Sequence, residues 1–299
     1  MVKGSHSRDG VRSLLVDWWH AIVLGFVQGL TEFLPISSSA HIRVAGELMG
    51  VGDPGAAFTA ITQIGTEAAV LVYFRRTIAA VIKAWFGSLP IGPWKNTVPR
   101  SSPDARMGWF VILGSIPVVV LGLLLEGWID HAFRNLYITA ATLAIFGIIL
   151  GMADAVSKRV KDLDQLSGRD ATIFGFAQAL ALIPGVSRSG GTITAGLLMG
   201  YSRKAAADYS FLLAVPAVLG SGFYKLFSDG LTGQSAVSMP LTLVATIVAF
   251  VVGYVVIVWF LKMIQTRTYT VFVVYRLALA AALVALLLTG VLSPLPAIA

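Results

Sequence analysis

The chain has 299 residues, of which 57% are hydrophobic and only 12% are charged, and its mean hydropathy is +0.82. This composition excludes a soluble globular domain and a disordered chain, and it indicates an integral membrane protein. The net charge of +7 suits anionic lipid headgroups, but the sequence lacks the basic face with interleaved aromatic residues that nucleic-acid binding requires, so we expect a membrane and no nucleic acid as partner.

Helical segments are predicted from the lengths of apolar runs and from the residues that interrupt them. Six segments are long enough to cross about 30 Å of hydrocarbon. They are 55–74, 107–126, 136–153, 205–226, 239–261 and 269–292. The shorter pairs, 18–34 with 40–50 and 170–183 with 190–200, reach only about halfway, so each pair predicts a re-entrant helix-loop-helix hairpin.

The two hairpin segments repeat one pattern, because residues 25–50 align without a gap on residues 175–200. The identical pairs include Gly25/Gly175, Phe26/Phe176, Gln28/Gln178, Leu30/Leu180, Ser37/Ser187, Ser39/Ser189, Gly46/Gly196, Leu48/Leu198, Met49/Met199 and Gly50/Gly200. The sequence therefore predicts an all-α integral membrane protein with an inverted-topology repeat, two re-entrant hairpins and six transmembrane helices. We expect a single membrane domain over 1–299. Repeat one is placed at 18–153 with its hairpin at 18–50, and repeat two at 170–292 with its hairpin at 170–200.

The basic residues of the loops orient these segments. Lys and Arg are concentrated in 75–106, 154–169 and 262–268, whereas 127–135 and 227–238 are poor in them. By the positive-inside rule the first three loops are cytoplasmic and the other two are external. Three crossings in each repeat turn the second copy upside down. The first hairpin then enters from outside, the second enters from the cytoplasm, and their tips meet near the midplane.

The second motif, residues 184–192, has the composition of an anion site. A proline-glycine pair ends the incoming half-helix, and Arg188 follows with a permanently charged fork that suits phosphate. The neighbouring hydroxyl and small residues can cap the next half-helix or leave its first N–H groups open to a ligand. These residues are Ser187, Ser189, Gly190, Gly191 and Thr192. The alternative is that Arg188 only neutralises a buried acid, Glu32 or Glu67, and joins the two hairpins.

The first motif, residues 25–41, combines groups suited to nucleophilic or general acid-base chemistry. Gln28 and Glu32 are four residues apart, so they share one face of the incoming half-helix. Pro35 interrupts the run, and hydroxyl and imidazole groups follow it. They belong to Ser37, Ser38, Ser39 and His41. The alternative is that the serines only cap a helix and that His41 bonds a carbonyl group. An acid such as Glu32 within an apolar run is costly and indicates a partner or a function.

Three further charged residues fall within predicted helices, namely Glu67, Asp208 and Arg276. For Glu67, in the middle of 55–74, three interpretations stay open: it lines the cavity, pairs with a basic residue, or is protonated. Asp208 and Arg276 lie near predicted cytoplasmic ends, where we expect them to be paired or to extend toward the headgroups.

Both motifs resemble those of the undecaprenyl-pyrophosphate phosphatase family, the bacterial bacitracin-resistance proteins. The resemblance is carried by GFVQGLTEFLPISSSAH at 25–41, PGVSRSGGT at 184–192 and SFLLAVP at 210–216. It implies hydrolysis of undecaprenyl pyrophosphate to undecaprenyl phosphate and inorganic phosphate, which recycles the cell-wall carrier lipid and confers bacitracin resistance. It also implies a multi-pass protein of the bacterial inner membrane with a site open to the periplasm or exterior. A homodimer is compatible with this reading.

The resemblance also implies roles for individual residues. The catalytic residues would be Glu32, Ser38, His41 and Arg188. The substrate-binding residues would be Gln28, Ser37, Ser39, Ser187, Ser189, Gly190, Gly191 and Thr192. A divalent cation, Mg²⁺ or Ca²⁺, would be the cofactor, with Glu32 as its ligand. The family signature reads E-x-x-x-E, but its first glutamate is Gln28 here, so the cation would have one carboxylate fewer.

The sequence leaves two questions open. The attacking group could be Ser38, His41 or water. Inverted repeats with re-entrant tips are also typical of secondary transporters, so a transporter or flippase for phosphate or lipid phosphate is the alternative function. The presence of Glu32, Ser38 and His41 opposite Arg188 favours hydrolysis, because a transporter needs an anion site but no nucleophile or base.

Overall fold

The computed structural model describes residues 16–125, 135–233 and 235–295, and this part of the chain folds into eleven α-helices. Their bounds are α1 Trp18–Thr31, α2 Ser38–Leu48, α3 Gly55–Tyr73, α4 Arg75–Ser88, α5 Pro103–Leu124, α6 Leu136–Val156, α7 Gly168–Ala179, α8 Arg188–Leu198, α9 Arg203–Lys225, α10 Met239–Met263 and α11 Thr270–Leu288. Short 3₁₀ turns lie at Leu163–Gln165 and Leu180–Leu182, and a π turn at Leu226–Gly230 continues α9.

Six of these helices are long and apolar enough to cross a membrane: α3, α5, α6, α9 with its π turn, α10 and α11. They coincide with the six predicted crossings, which confirms a multi-pass membrane protein. Their outer faces support this conclusion. On α10, Ile247, Val251, Val255 and Trp259 follow one another at four-residue spacing, and each is more than half exposed. Such a stripe of large apolar side chains is suited to lipid rather than water.

The structure corrects the expectation of an irregular loop at 75–106, because α4 fills its first half. Trp85 of α4 packs edge to face on Trp109 of α5, with ring centroids 5.4 Å apart. Gly108 leaves room for this contact, since a Cβ at this position would lie 2.9 Å from the Cβ of Trp85. The helical spacing of Ile78, Ile82 and Trp85 was visible in the sequence, but the neighbouring basic residues favoured a loop. The predicted external loop 127–135 lies, except for its last residue, outside the described residues.

The short helices end close to their predicted positions. α1 ends at Thr31, before Pro35, which cannot donate a helical hydrogen bond. α2 and α8 begin at Ser38 and Arg188, two residues earlier than expected. Each contains 11 residues, so at 1.5 Å per residue it is about 16 Å long, too short to cross the bilayer.

Glycines bring the short helices close to the long ones. α1 packs on α10, where a Cβ at Gly25 would lie 2.4 Å from the carbonyl oxygen of Ala245. α7 packs on α5, where a Cβ at Gly175 would lie 2.4 Å from the carbonyl oxygen of Gly114. Gly25 and Gly175 are aligned positions of the two hairpin segments, so the same contact occurs twice.

Candidate active site

The loops that precede α2 and α8 have the same backbone geometry. Ser37 and Ser187 are the residues before these helices, and both adopt positive φ angles, 73° and 70°. Each hydroxyl lies 3.2 Å from the hydroxyl of the serine two residues later, Ser39 or Ser189. The two loops also touch, because the Ser189 hydroxyl donates to the carbonyl of Leu34 at 3.1 Å. The two motifs, 150 residues apart in the sequence, therefore meet.

Arg276 of α11 holds both loops, although we expected it to pair or to extend toward the headgroups. Its side chain is buried, and its guanidinium makes five hydrogen bonds to backbone carbonyls. The acceptors are Pro35 at 3.0 Å, Leu143 at 3.0 Å, Thr142 at 3.3 Å, Gly185 at 2.9 Å and Val186 at 3.1 Å. A guanidinium carries five N–H donors in a fixed plane, so one side chain can join three separate segments. The sequence gives no sign of this role beyond an arginine within an apolar run.

Glu32 is the centre of the polar cluster. It directly follows α1, it is only 5% exposed, and one carboxylate oxygen accepts a hydrogen bond from Arg188 Nη2 at 2.6 Å. The other oxygen accepts from the Ser38 hydroxyl at 2.5 Å and from Gln28 Nε2 at 2.8 Å. The arginine of the second motif thus binds the acid of the first, and the same acid holds a serine hydroxyl.

Glu67 of α3 is the second acid of this cluster. Its carboxylate is fully buried and lies 3.9 Å from Arg188 Nη2, the nitrogen that binds Glu32. Neither of its oxygens has a hydrogen-bond partner among the described residues. Arg188 therefore faces both acids that were considered as its partners.

Arg188 also faces a cavity of about 550 Å³. Its surroundings are therefore not limited to the two acids that neutralise its charge. The cavity has a polar end formed by Glu32, Ser37, Ser38, Ser39, Gln178, Ser187 and Arg188. Its walls are largely apolar and include Val118, Val119 and Leu123 of α5, Leu182, and Pro216 and Val218 of α9. Val119 and Leu123 are 48% and 67% exposed, so the cavity reaches the lipid-facing surface beside α5. This shape fits an amphiphile with an anionic head.

Gln178 of α7 is a cavity residue that was missed in the sequence. Its side chain is fully buried, and neither amide atom has a hydrogen-bond partner within the described ranges. A buried amide costs free energy when it stays unpaired, so its position at the cavity indicates a bound partner. The alignment of Gln178 with Gln28 in the repeat was the available signal.

The structure does not bring His41 into this cluster. One ring nitrogen lies 2.7 Å from the Ser37 carbonyl and the other lies 2.7 Å from the Tyr275 hydroxyl. Because a carbonyl oxygen only accepts, Nδ1 carries the proton and Nε2 accepts from Tyr275. The imidazole also stacks on the Tyr275 ring, with centroids 5.6 Å apart. His41 is thus positioned to hold the Ser37 loop, and both its nitrogens are engaged away from Ser38.

Several residues of the second motif support the loop rather than line the cavity. The N–H of Gly190 donates to the Ser187 hydroxyl at 3.1 Å, and that of Gly191 donates to the Ser187 carbonyl at 2.8 Å. We expected these N–H groups to be open to a ligand, but both are engaged within the loop. A Cβ at Gly190 would lie 2.9 Å from Arg276 Nη1, so a glycine is needed for close contact. The buried hydroxyl of Thr192 lies 2.5 Å from that of Ser210.

The donors of the cavity fit a hard divalent cation in part. Glu32 offers carboxylate oxygens, and the amide oxygen of Gln28 has no partner among the described residues. The described part of the chain forms no cluster of three or more His, Cys, Asp or Glu side chains suited to a metal. A cation here would need phosphate oxygens and water as further ligands, which is typical of Mg²⁺.

Fold and site together define a multi-pass, all-helical membrane protein. Its cavity has apolar walls and a polar end that combines a guanidinium, a carboxylate and hydroxyl groups. The chain belongs to the family of the bacitracin resistance protein BacA, whose family model matches residues 21–282. This confirms the family resemblance seen in the sequence.

Curated relatives are similar over nearly the whole chain. A protein of Pseudarthrobacter chlorophenolicus named undecaprenyl-diphosphatase is 58% identical over 283 residues, which cover 93% of this chain and 100% of the relative. The undecaprenyl-diphosphatase of Micrococcus luteus is 58% identical over 282 residues, again 93% and 100%. Undecaprenyl-diphosphatase 2 of Agrobacterium fabrum is 57% identical over 280 residues, covering 93% of this chain and 98% of the relative.

Proposed function

We propose that this protein is a membrane phosphatase that hydrolyses undecaprenyl pyrophosphate to undecaprenyl phosphate and inorganic phosphate. The observation that carries this proposal is the position of Glu32 between Arg188 and Ser38 at the polar end of the cavity. These contacts join an anion-binding group, a base and a nucleophile. The family and the names of its relatives point to the same activity.

Arg188 binds the phosphates and stabilises charge during transfer. Its fork can form two parallel hydrogen bonds to phosphate oxygens, and the apolar walls strengthen this interaction by excluding water. Ser187 and Gln178 at the same end of the cavity supply further donors. Glu32 keeps the guanidinium in place through its contact with Arg188 Nη2 at 2.6 Å.

Ser38 is the attacking group in this mechanism, and Glu32 is its base. The Ser38 proton already points at the Glu32 carboxylate, because a carboxylate at 2.5 Å can only accept. On attack, the serine oxygen bonds to the terminal phosphorus, Glu32 takes the proton, and the bond to the lipid monophosphate breaks. Water then bonds to the phosphorus, the bond between phosphorus and the serine oxygen breaks, and Glu32 returns its proton to that oxygen as inorganic phosphate leaves. His41 supports this step through the Ser37 carbonyl.

A divalent cation, Mg²⁺ or Ca²⁺, would be held by Glu32, with the Gln28 amide oxygen as a further donor. When bound, the cation would act as a Lewis acid that neutralises charge on the phosphoryl oxygens.

The lipid tail leaves the cavity along its apolar walls, toward the exposed Val119 and Leu123. We place this exit on the periplasmic or external side of the inner membrane. The cavity lining includes Ala56 at the start of α3, Leu123 near the end of α5 and Tyr224 near the end of α9. The positive-inside rule assigns all three helix ends to the outside.

The architecture that we propose is an inverted repeat over 18–153 and 170–292, with re-entrant hairpins at 18–50 and 170–200. Hydrogen bonds from the Lys161 N–H to the Gly200 carbonyl and from the Ser202 N–H to the Lys161 carbonyl bring the segment before the second hairpin close to the end of that hairpin. Val16 and Met49, at the two ends of the first hairpin, belong to one apolar cluster. The matching geometry of Ser37 and Ser187 and of Gly25 and Gly175 supports the repeat.

The test is phosphate release by the detergent-solubilised protein from a short-chain isoprenyl pyrophosphate. We expect release by the wild type, loss of release in Arg188→Ala, and partial activity in Arg188→Lys, which keeps the charge without the fork. Arg267→Ala, at an exposed position, is the matched control. Phosphoserine at Ser38 during turnover, detected by mass spectrometry, is expected as well. A wild type that releases no phosphate but carries the lipid or phosphate into liposomes would refute hydrolysis.

A further inference from the structure

Glu67 is the group near the cavity that the mechanism above does not use. It lies in the middle of α3, it has no exposed surface, and within the described ranges neither carboxylate oxygen accepts a hydrogen bond. Burial of an acid without hydrogen bonds is unfavourable unless a cation or a proton compensates it. The buried Glu67 carboxylate therefore requires a cation or a proton as its partner.

The charges around Arg188 point to the nature of this partner. Arg188 Nη2 lies 2.6 Å from Glu32 and 3.9 Å from Glu67, so one guanidinium faces two carboxylates. One formal negative charge is left over at this point among the described residues. Carboxylates that face each other across a cation are the usual ligands of hard divalent ions.

Residue 28 supports the same reading. The side chain of Gln28 reaches Glu32 at 2.8 Å, so a carboxylate at position 28 would also lie beside Glu32. The chain has an amide there, and the amide oxygen is unpaired in the described part of the chain. The second acid comes instead from α3, and its carboxylate faces the same guanidinium nitrogen as Glu32.

We propose that Glu67 is the second carboxylate of the active site, and that Glu32 and Glu67 together hold the divalent cation in competition with Arg188. With the two acids engaged by a cation, the Arg188 guanidinium would be free of them and available to phosphate. The inference rests on the proposed hydrolase function and deepens it, because it assigns a residue outside both motifs to the reacting centre.

The experiment measures binding of Mn²⁺ alone to the purified full-length protein in detergent, with free Mn²⁺ followed by electron paramagnetic resonance. It compares the wild type with Glu67→Gln and with the exchange variant Gln28→Glu/Glu67→Gln, which moves the carboxylate to α1 and keeps the net charge. Asp208→Asn is the matched control. Asp208 is another buried acid with an unpaired oxygen, but it forms an ion pair with Lys204 outside the cavity.

We expect Glu67→Gln to raise the Mn²⁺ concentration for half-saturation about tenfold or more, the exchange variant to recover most of this loss, and Asp208→Asn to bind like the wild type. Unchanged binding in Glu67→Gln, or no saturable binding in the wild type, would overturn the proposal. Recovery in the exchange variant excludes a merely structural loss. Phosphate release is measured separately, so a protein that binds Mn²⁺ as expected but releases no phosphate would refute the hydrolase function and not the cation site.

Discussion

Arg276→Lys tests whether the two loops must be held together for catalysis. The arginine donates five hydrogen bonds to carbonyls in three segments, at Pro35, at 142–143 and at 185–186. A lysine keeps the charge, but its three donors lie on one nitrogen, so at least two of these bonds are lost. Each buried carbonyl that loses its donor costs about 1–3 kcal/mol, so the loops lose roughly 2–6 kcal/mol of restraint.

The consequence should appear in the rate, because Arg276 touches neither the cavity nor its side chains at the polar end. If about 2 kcal/mol of this restraint is needed to align Ser38 and Arg188 in the transition state, kcat falls roughly 30-fold. We expect a smaller change in KM, since Arg188 remains in the cavity. The thermal unfolding temperature in detergent should fall as well.

Phosphate release and thermal unfolding are measured side by side, with Arg267→Lys as the control, because Arg267 is exposed on the loop before α11. If Arg276→Lys unfolds and turns over like the wild type, the two loops do not depend on Arg276. If it loses stability while kcat is kept, the loops are held for folding only.

Three further predictions concern side chains around the cavity. Glu32→Gln and Ser38→Ala should each lower kcat by about 10²-fold or more. The double variant should lose little beyond either single change, because the two groups act through one hydrogen bond, and additive losses in kinetic assays would contradict this. Gln178→Leu should raise KM roughly tenfold with little change in kcat, since an amide bond to phosphate is lost, and an unchanged KM would remove Gln178 from the binding site. Gly190→Ala should reproduce the Arg276→Lys phenotype in both assays, because its Cβ would lie 2.9 Å from Arg276 Nη1; wild-type behaviour would show that the guanidinium can shift at no cost.

The sequence predicts the long helices well, because uninterrupted apolar runs dominate their signal. α10 illustrates this: its 25 residues contain only Lys262 as a charged residue, near the last turn. The sequence predicts α4 poorly. Basic residues obscure the apolar spacing of this helix, and its packing depends on Trp109 of another helix. A local sequence pattern identifies a helix when the residues of that helix, and not contacts with a distant segment, account for its formation.

The same distinction applies to the site. Glu32 and Arg188 could be selected in the sequence because an intramembrane charge beside helix-breaking residues is unusual in itself. The roles of Arg276 and Gln178 could not, because each depends on contacts between distant segments. Arg276 lies 241 positions from Pro35, whose carbonyl it binds. The resemblance implied a catalytic role for His41, and the sequence could not show that its ring lies against Tyr275 of α11.

The transporter alternative requires access to the site from both sides of the membrane. An apolar cluster extends from Phe33, in the first motif, through Phe211 and Phe260 to Tyr269, with Phe33 and Phe211 edge to face at 5.4 Å. In the orientation that we propose from the positive-inside rule, this cluster lies on the cytoplasmic side. A carrier would have to open these contacts in every cycle. A hydrolase needs no such opening, because substrate, water and inorganic phosphate can all enter and leave by the same mouth of the cavity. The Ser38–Glu32 hydrogen bond pairs a nucleophile with a base, which hydrolysis requires. A carrier would bind phosphate equally well without this pair.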